Sequence, residues 1–316
     1  MFFSYLLFGE KAKDLYILLG IVYGFSQGVY WVAGHNIIHN FMKQSNSKKY
    51  ITTRGIFTNI CKIIFPIILG TSIHFSSFTN VGIIILFIAI LQIAISFFMK
   101  DVNNTSTDTK SFNILTYLSK LRKMKEKASN LYHCYLILFY SALAEGVVST
   151  LITVMIMMTF GNTLDLGFLT TCFSICTIIT VYLLQRFYQK EKGKKYILTS
   201  LVFMLFSSLI LVFDINKSSV IFYNLCQSIF IVIISNIANF ERYNTITDLG
   251  LTEYISEHQA LCEVFLAFGR MVAYSALLIV SFFTSPIAFR ILLLLLTLCL
   301  IPYAKHILAI EKNSSN

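Results

Sequence analysis

The chain has 316 residues, of which 56% are hydrophobic and only 13% are charged, and its formal net charge is +10. Water-soluble domains carry about 25% charged residues, so this composition excludes that class. Apolar stretches of 18 residues or more recur along the length, which predicts a helical protein that crosses a membrane many times. The seven cysteines form no CxxC pair, so we expect no disulfide framework.

Nine apolar stretches predict nine membrane-spanning helices, three before a long polar segment and six after it. An all-α fold follows, because a segment within lipid must satisfy its own backbone hydrogen bonds. The polar segment is residues 100–131, and its second half mixes apolar and basic residues at helical spacing, as in a helix on the membrane surface. The predicted spans are residues 15–41, 55–75, 81–99, 132–158, 164–184, 196–213, 219–240, 258–283 and 286–304.

Charge separates the loops into two groups. Lysine and arginine number 19 in the loops on one side of the predicted spans, including the C-terminal tail, against three on the other side. Basic loops face the cytoplasm, so we predict a multi-pass protein of the cell membrane with residues 100–131 and the C-terminus cytoplasmic. The lipid bilayer is one expected partner. Nucleic acid is not, because the basic residues are accounted for by membrane topology.

Glu145 is a charged residue far inside a predicted span. It lies ~14 residues into that span, or about 21 Å along the helix. Charges at such depth are costly and mark ion or solute pathways. Glu145 is therefore our candidate for a group that takes up a proton or contacts a cation. A structural partner, or burial in the protonated form, remains the alternative.

Among the other charged residues within predicted spans, three are interpreted as a structural charge network, namely Lys62, Glu263 and Arg270. Glu263 and Arg270 are seven residues apart and so fall on nearly the same helix face. They hold helices together or, alternatively, serve transport. Lys62 lies near the end of its span and can extend its ammonium group to the interface.

Other motifs argue against an enzyme. His35 and His39 form an HxxxH pair, but the remaining histidines are scattered, so too few ligands are present and we predict no metal site. The sequence has no GxxxxGK[ST], GxSxG or HExxH motif. We therefore predict no cofactor and no catalytic activity.

Three features together resemble the major facilitator superfamily. The first is the order of three spans, a long basic loop and six spans. The second is the short basic loop with glycine at residues 192–195. The third is the repeat of Gly20, Gly24 and Gly28, followed by Arg54 and then by a proline and glycine at positions 66 and 70. The overall order of spans and loops is the main support for the resemblance.

The resemblance implies two helical halves joined by a cytoplasmic linker, with a solute site between helices near the middle of the membrane. Residues 1–99 would be an incomplete N-terminal half, a helix stub with three spans, so the first three helices of the family would be lacking. Residues 100–131 would be the linker and residues 132–316 the six-helix C-terminal half.

The implied function is secondary active transport of a small solute, by proton-coupled efflux or uptake. The resemblance places polar side chains at the central cavity, namely Gln27, Tyr30, Asn224 and Gln227, with Glu145 on a cavity-lining helix. Hydrogen bonding between helices is the other interpretation of these polar residues. The alternative function is a truncated, transport-inactive membrane protein, or one that depends on a complementing membrane subunit.

Overall fold

The structure is a computed structural model that describes residues 14–42, 47–76, 78–98, 112–124, 129–146, 148–282 and 286–314. Within these residues the chain is helical apart from short connections, and it has no strand. The helices are α1 Tyr16–Met42, α2 Ser47–Phe75, α3 Phe78–Ser96, α4 Ile114–Met124, α5 Ser129–Gly146, α6 Val148–Phe160, α7 Thr163–Phe187, α8 Gly193–Phe213, α9 Lys217–Cys226, α10 Val232–Asp248, α11 Ile255–Ser281, α12 Pro286–Leu298 and α13 Leu300–Ser314.

The described helices are apolar enough to confirm the predicted all-α membrane fold. Three apolar stretches precede the polar segment within α1, α2 and α3, at Ile17–Tyr30, Ile63–Phe75 and Asn80–Ser96. Six stretches after it are long enough to cross a membrane. These are Ser129–Phe160, Leu164–Leu184, Gly193–Phe213, Lys217–Arg242, Ser256–Ser281 and Ile287–Glu311.

The chain forms two compact units. The first contains the described residues before Phe112 together with Asn162–Phe168, and the second contains Phe112–Gly161 and the chain from Leu169 onward. In the first unit, α2 packs against both α1 and α3. In the second unit, α5 is the central helix: it packs against α11 and α13 over most of its length and also contacts α6, α10 and α12.

Helices α5 and α11 approach each other closely at Gly269 of α11. A Cβ atom there would overlap the carbonyl oxygen of Phe139 on α5 and would lie 2.9 Å from the Cβ atom of Ala142. Small residues allow such contact between helices in lipid. By contrast, apart from the adjacent residues of α1 itself, no described part of the chain comes within 4 Å of the Cβ position of Gly24, the middle glycine of the four-residue repeat.

Helix α4 packs on the protein through Tyr117. The Tyr117 side chain is fully buried and lies in a cluster with Leu131, Leu138 and Leu251. The sequence predicts this segment as a helix on the membrane surface. Its described part is a helix that docks against α11, because one face presents a large aromatic residue with both apolar and polar contacts within the second unit.

Arg290 of α12 binds the end of α8. Its Nη1 atom donates to the carbonyl oxygens of Val212 and Phe213, at 3.2 and 3.3 Å. The last carbonyl groups of a helix have no partner within the helix and carry partial negative charge, so a cation there is stabilising.

We expect Arg290→Met to lower the free energy of unfolding by about 1–3 kcal/mol, because hydrogen bonds from a charged donor are lost. Thermal unfolding of the purified protein measures the effect. Lys194→Met, which removes an exposed cation near the start of α8, is the matched control and should leave stability unchanged. Equal melting temperatures for Arg290→Met and the wild type would contradict this role.

Candidate functional site

Glu145 is the second-to-last residue of α5 and lies halfway along the apolar stretch Ser129–Phe160. Its Oε1 atom is buried and has no hydrogen-bond partner among the described residues. A buried carboxylate oxygen without a donor is costly. Whether the Glu145 carboxyl group is ionised therefore depends on the few polar groups around it.

Two side chains of α11 reach the backbone next to Glu145. The Cγ atom of Arg270 is 3.3 Å from the Cβ position of Gly146, and the hydroxyl of Tyr274 donates to the carbonyl oxygen of Gly146 at 3.1 Å. Arg270 is close enough to attract the Glu145 carboxylate, and the buried Tyr303 of α13 is also within electrostatic range of it. The exposed side chain of Arg270 is thus an electrostatic neighbour of Glu145, without a hydrogen bond to its buried Oε1 atom.

The other predicted polar residues divide between the two units. Asn224 is buried in α9, and its Nδ2 atom donates to the carbonyl oxygen of Val220 at 2.7 Å. Gln227 follows at the first position of the π turn, Gln227–Ile231, that joins α9 to α10. Gln27 and Tyr30 belong to α1 in the first unit, where Gln27 is half-buried and Tyr30 is exposed.

The remaining predicted charges differ in their surroundings. Glu263 accepts a hydrogen bond from Gln259 within α11, at 3.2 Å. The side chain of Lys62 lies outside the described residues, and so do the side chains of His35 and His39. Among the described residues, no three histidine, cysteine or acidic side chains form a group that could hold a metal ion.

The comparison with protein families agrees with this architecture. A model of the Major Facilitator Superfamily matches residues 1–247, which is most of the chain. The chain belongs to the major facilitator superfamily. Members of this superfamily are membrane transporters, and the chain is accordingly a multi-pass membrane protein of a transporter family.

One curated relative of this superfamily chain comes from Bacillus subtilis (strain 168). It is the uncharacterized protein YqgE, which is 24% identical over 226 residues. The alignment covers 70% of this chain and 51% of YqgE, so the chain spans about half the length of the relative that it matches. No solved structure matches the chain.

The superfamily's short basic loop, predicted at residues 192–195, is tightly packed at Gly193. A Cβ atom at this position would lie 2.5 Å from Oε1 of Glu311 and 3.2 Å from the hydroxyl of Tyr188. Burial raises the pKa of Tyr188 to about 12, so its hydroxyl stays protonated near the Glu311 carboxylate. The loop therefore packs closely against the end of α13.

Sequence reasoning missed a buried polar cluster beneath α4. The hydroxyls of Tyr117 and Tyr135 are 3.0 Å apart, and both lie within 3.1 Å of Nδ1 of His258. The Sγ atom of Cys262 is 3.1 Å from Nε2 of the same ring. Burial raises the pKa of Tyr117 to about 12, which keeps its hydroxyl available as a donor.

A second pair that the sequence did not reveal joins α5 to α13. The Nδ1 atoms of His133 and His306 are 3.0 Å apart, and the ring of His306 stacks on Tyr140. These residues are 173 positions apart in the chain. Their juxtaposition depends on the helix arrangement, for which single-sequence patterns carry no signal.

Proposed function

We propose that this chain acts in secondary active transport of a small solute across the cell membrane, with proton coupling through Glu145. The observation that carries the proposal is the buried Oε1 atom of Glu145, which has no partner among the described residues and lies beside Arg270 in a protein of a transporter family. A carboxyl group at membrane depth either binds a proton or requires a nearby cation. The Glu145–Arg270 distance therefore determines how readily Glu145 holds a proton.

Coupling of proton movement to solute movement follows because the protonation of Glu145 depends on its distance from Arg270. When Arg270 stays near Glu145, the carboxylate is stabilised as an anion. When the solute or a helix movement draws Arg270 away, the bare charge is too costly, and Glu145 takes a proton from one side of the membrane. Helix rearrangement then exposes the site to the other side, where Arg270 returns and the proton leaves.

The other assignments in this proposal follow the superfamily pattern. Gln27, Tyr30, Asn224 and Gln227 would contact the solute, because a few polar groups in an apolar pocket orient a small ligand. Lys62 and Glu263 would belong with Arg270 to a network that holds helices. Residues 1–99 would act as one half, 100–131 as a cytoplasmic linker and 132–316 as the other half, with the C-terminus also cytoplasmic. No enzymatic step is part of this proposal.

The test is Glu145→Gln in everted membrane vesicles that hold an imposed acid-inside pH gradient. The wild-type chain should release protons when the transported solute, found by screening a panel, is added. Glu145→Gln should abolish this proton release, since an amide cannot exchange a proton, while solute exchange at equal concentrations continues. A pH-sensitive dye and a radiolabelled solute report the two processes.

Glu191→Gln is the matched control, because it neutralises an exposed carboxylate in the loop between α7 and α8. It should behave as the wild type does. Proton release that survives Glu145→Gln would remove Glu145 from the proton pathway. If the wild-type chain is folded but none of the solutes in the panel triggers proton release, the result would instead favour the alternative, in which transport requires a complementing membrane subunit.

A further inference from the structure

A cavity of about 270 Å³ opens between the end of α7, the start of α8 and the beginning of α10. Leu184 and Phe187 of α7 form one wall, Tyr196 of α8 forms another, and Ile229 and Ile233 close the third. The lining is almost entirely apolar. Its volume falls just below the range of about 300–1,000 Å³ for small-molecule sites, so it suits a slender apolar chain better than a bulky solute.

The cavity lies at one end of the membrane-crossing stretches. The stretch Leu164–Leu184 ends beside it, and Gly193–Phe213 begins beside it. The end of the cavity that Phe187 and Tyr196 line is therefore near the level where acyl chains meet lipid headgroups. Ile229 and Ile233 lie deeper, within the stretch Lys217–Arg242. Ile229 belongs to the π turn, a local helix widening that is frequent at functional sites.

The loop next to this end of the cavity is rich in basic residues. The loop that contains residues 186–195 has five lysine and arginine residues and a single acidic residue, Glu191. The guanidinium of Arg186 lies 5.8 Å from the ring centroid of Phe187, which lines the cavity, and its Nη1 atom is 3.2 Å from the hydroxyl of Tyr182. Arg186 is exposed, so it is available to an anion at the interface.

We propose that this cavity binds one acyl chain of an anionic phospholipid, with the lipid phosphate held at Arg186. The apolar lining accounts for the chain, and the adjacent arginine and lysines account for the anionic headgroup. Basic pockets between membrane helices bind acidic lipid headgroups for the same electrostatic reason. This site is separate from Glu145 and does not depend on transport.

The experiment measures lipid binding to the full chain in a neutral detergent by native mass spectrometry. Phosphatidylglycerol and phosphatidylcholine with the same acyl chains are titrated in parallel. The wild type should retain one phosphatidylglycerol more tightly than phosphatidylcholine. Arg186→Gln should reduce this preference about fivefold, the equivalent of one basic residue near an anionic surface. Lys217→Gln, which removes an exposed cation at the first residue of α9, should leave the preference unchanged.

A second variant tests the acyl-chain part of the proposal. Ile233→Trp should fill the cavity and abolish retention of both lipids, whereas Val202→Trp, on a lipid-exposed face of α8, should retain them. Glycerol phosphate, which has the headgroup charge but no acyl chain, should not displace the bound lipid.

Three results would overturn the proposal. They are an unchanged headgroup preference in Arg186→Gln, a retained lipid in monodisperse Ile233→Trp, and displacement of the lipid by glycerol phosphate. Because Arg186 is exposed, its variant is expected to fold and therefore tests the proposal even where Ile233→Trp does not fold.

Discussion

Replacing Gly269 with leucine is expected to prevent stable folding of the second unit. A Cβ atom at this position already overlaps the carbonyl oxygen of Phe139, and that oxygen belongs to the backbone of α5, which cannot move aside as a flexible side chain can. Overpacking of this kind costs about 3 kcal/mol or more. A leucine gains at most about 1 kcal/mol in helix propensity over glycine, so the steric cost dominates.

Size-exclusion chromatography with a thermal ramp measures this result as loss of the monodisperse, heat-resistant fraction. Gly24→Leu is the matched control, since the same substitution in α1 meets no described atom within 4 Å of its Cβ position apart from the adjacent residues of α1 itself. It should remain as stable as the wild type. A Gly269→Leu protein with the wild-type melting temperature would show that α5 and α11 do not pack closely at this point.

Tyr117→Ala is expected to release α4 from the second unit. The substitution removes a fully buried aromatic ring and its hydrogen-bonding contacts with Tyr135 and His258. Truncation of buried aromatic residues costs about 3–5 kcal/mol.

Two other polar links of this segment remain in the variant. The 2.8 Å ion pair between Lys120 and Glu253 is partly exposed and contributes only about 0–1 kcal/mol. The hydrogen bond from the backbone N–H of Asn113 to Oε1 of Glu257, at 3.0 Å, contributes about 1.5–3 kcal/mol, less than the loss of the buried ring.

Limited trypsin digestion followed by mass analysis tests this expectation through the cleavage rate after Lys120. The rate should rise strongly in Tyr117→Ala, because trypsin needs a locally unfolded segment. Leu115→Ala removes an exposed residue of the same helix and should leave the rate unchanged. Equal cleavage rates in the two variants would show that Tyr117 does not anchor α4.

The apolar pattern predicted the helices well, because span length and hydrophobicity are local properties. Their contacts are not local. The close approach of α5 and α11 at Gly269, where a Cβ atom would overlap the carbonyl oxygen of Phe139, has no counterpart in the sequence pattern. A single glycine has no periodicity, and only the position of Phe139 on another helix explains why a side chain is excluded there.

The candidate site likewise combines residues that the sequence singles out with contacts that the sequence does not reveal. Glu145 could be singled out from sequence because a carboxylate at membrane depth is costly wherever it lies. Arg270 could be assigned to a charge network, but its position beside Gly146 required the α5–α11 contact. His258 could not be singled out from sequence, which placed it only at the start of a predicted span. The docking of α4 is what brings Tyr117 to its ring.

The π turn at Gln227–Ile231 has a consequence for aligning this chain with its relatives. A π turn accommodates one residue more than a regular α-helix over the same path. The helical phase therefore slips by one position between Asn224 and Asn236, and a strict repeat of 3.6 residues assigns the wrong face to α10. A homologue with a one-residue deletion in this turn can keep both flanking helices in place, so such a gap is physically sound rather than an alignment error.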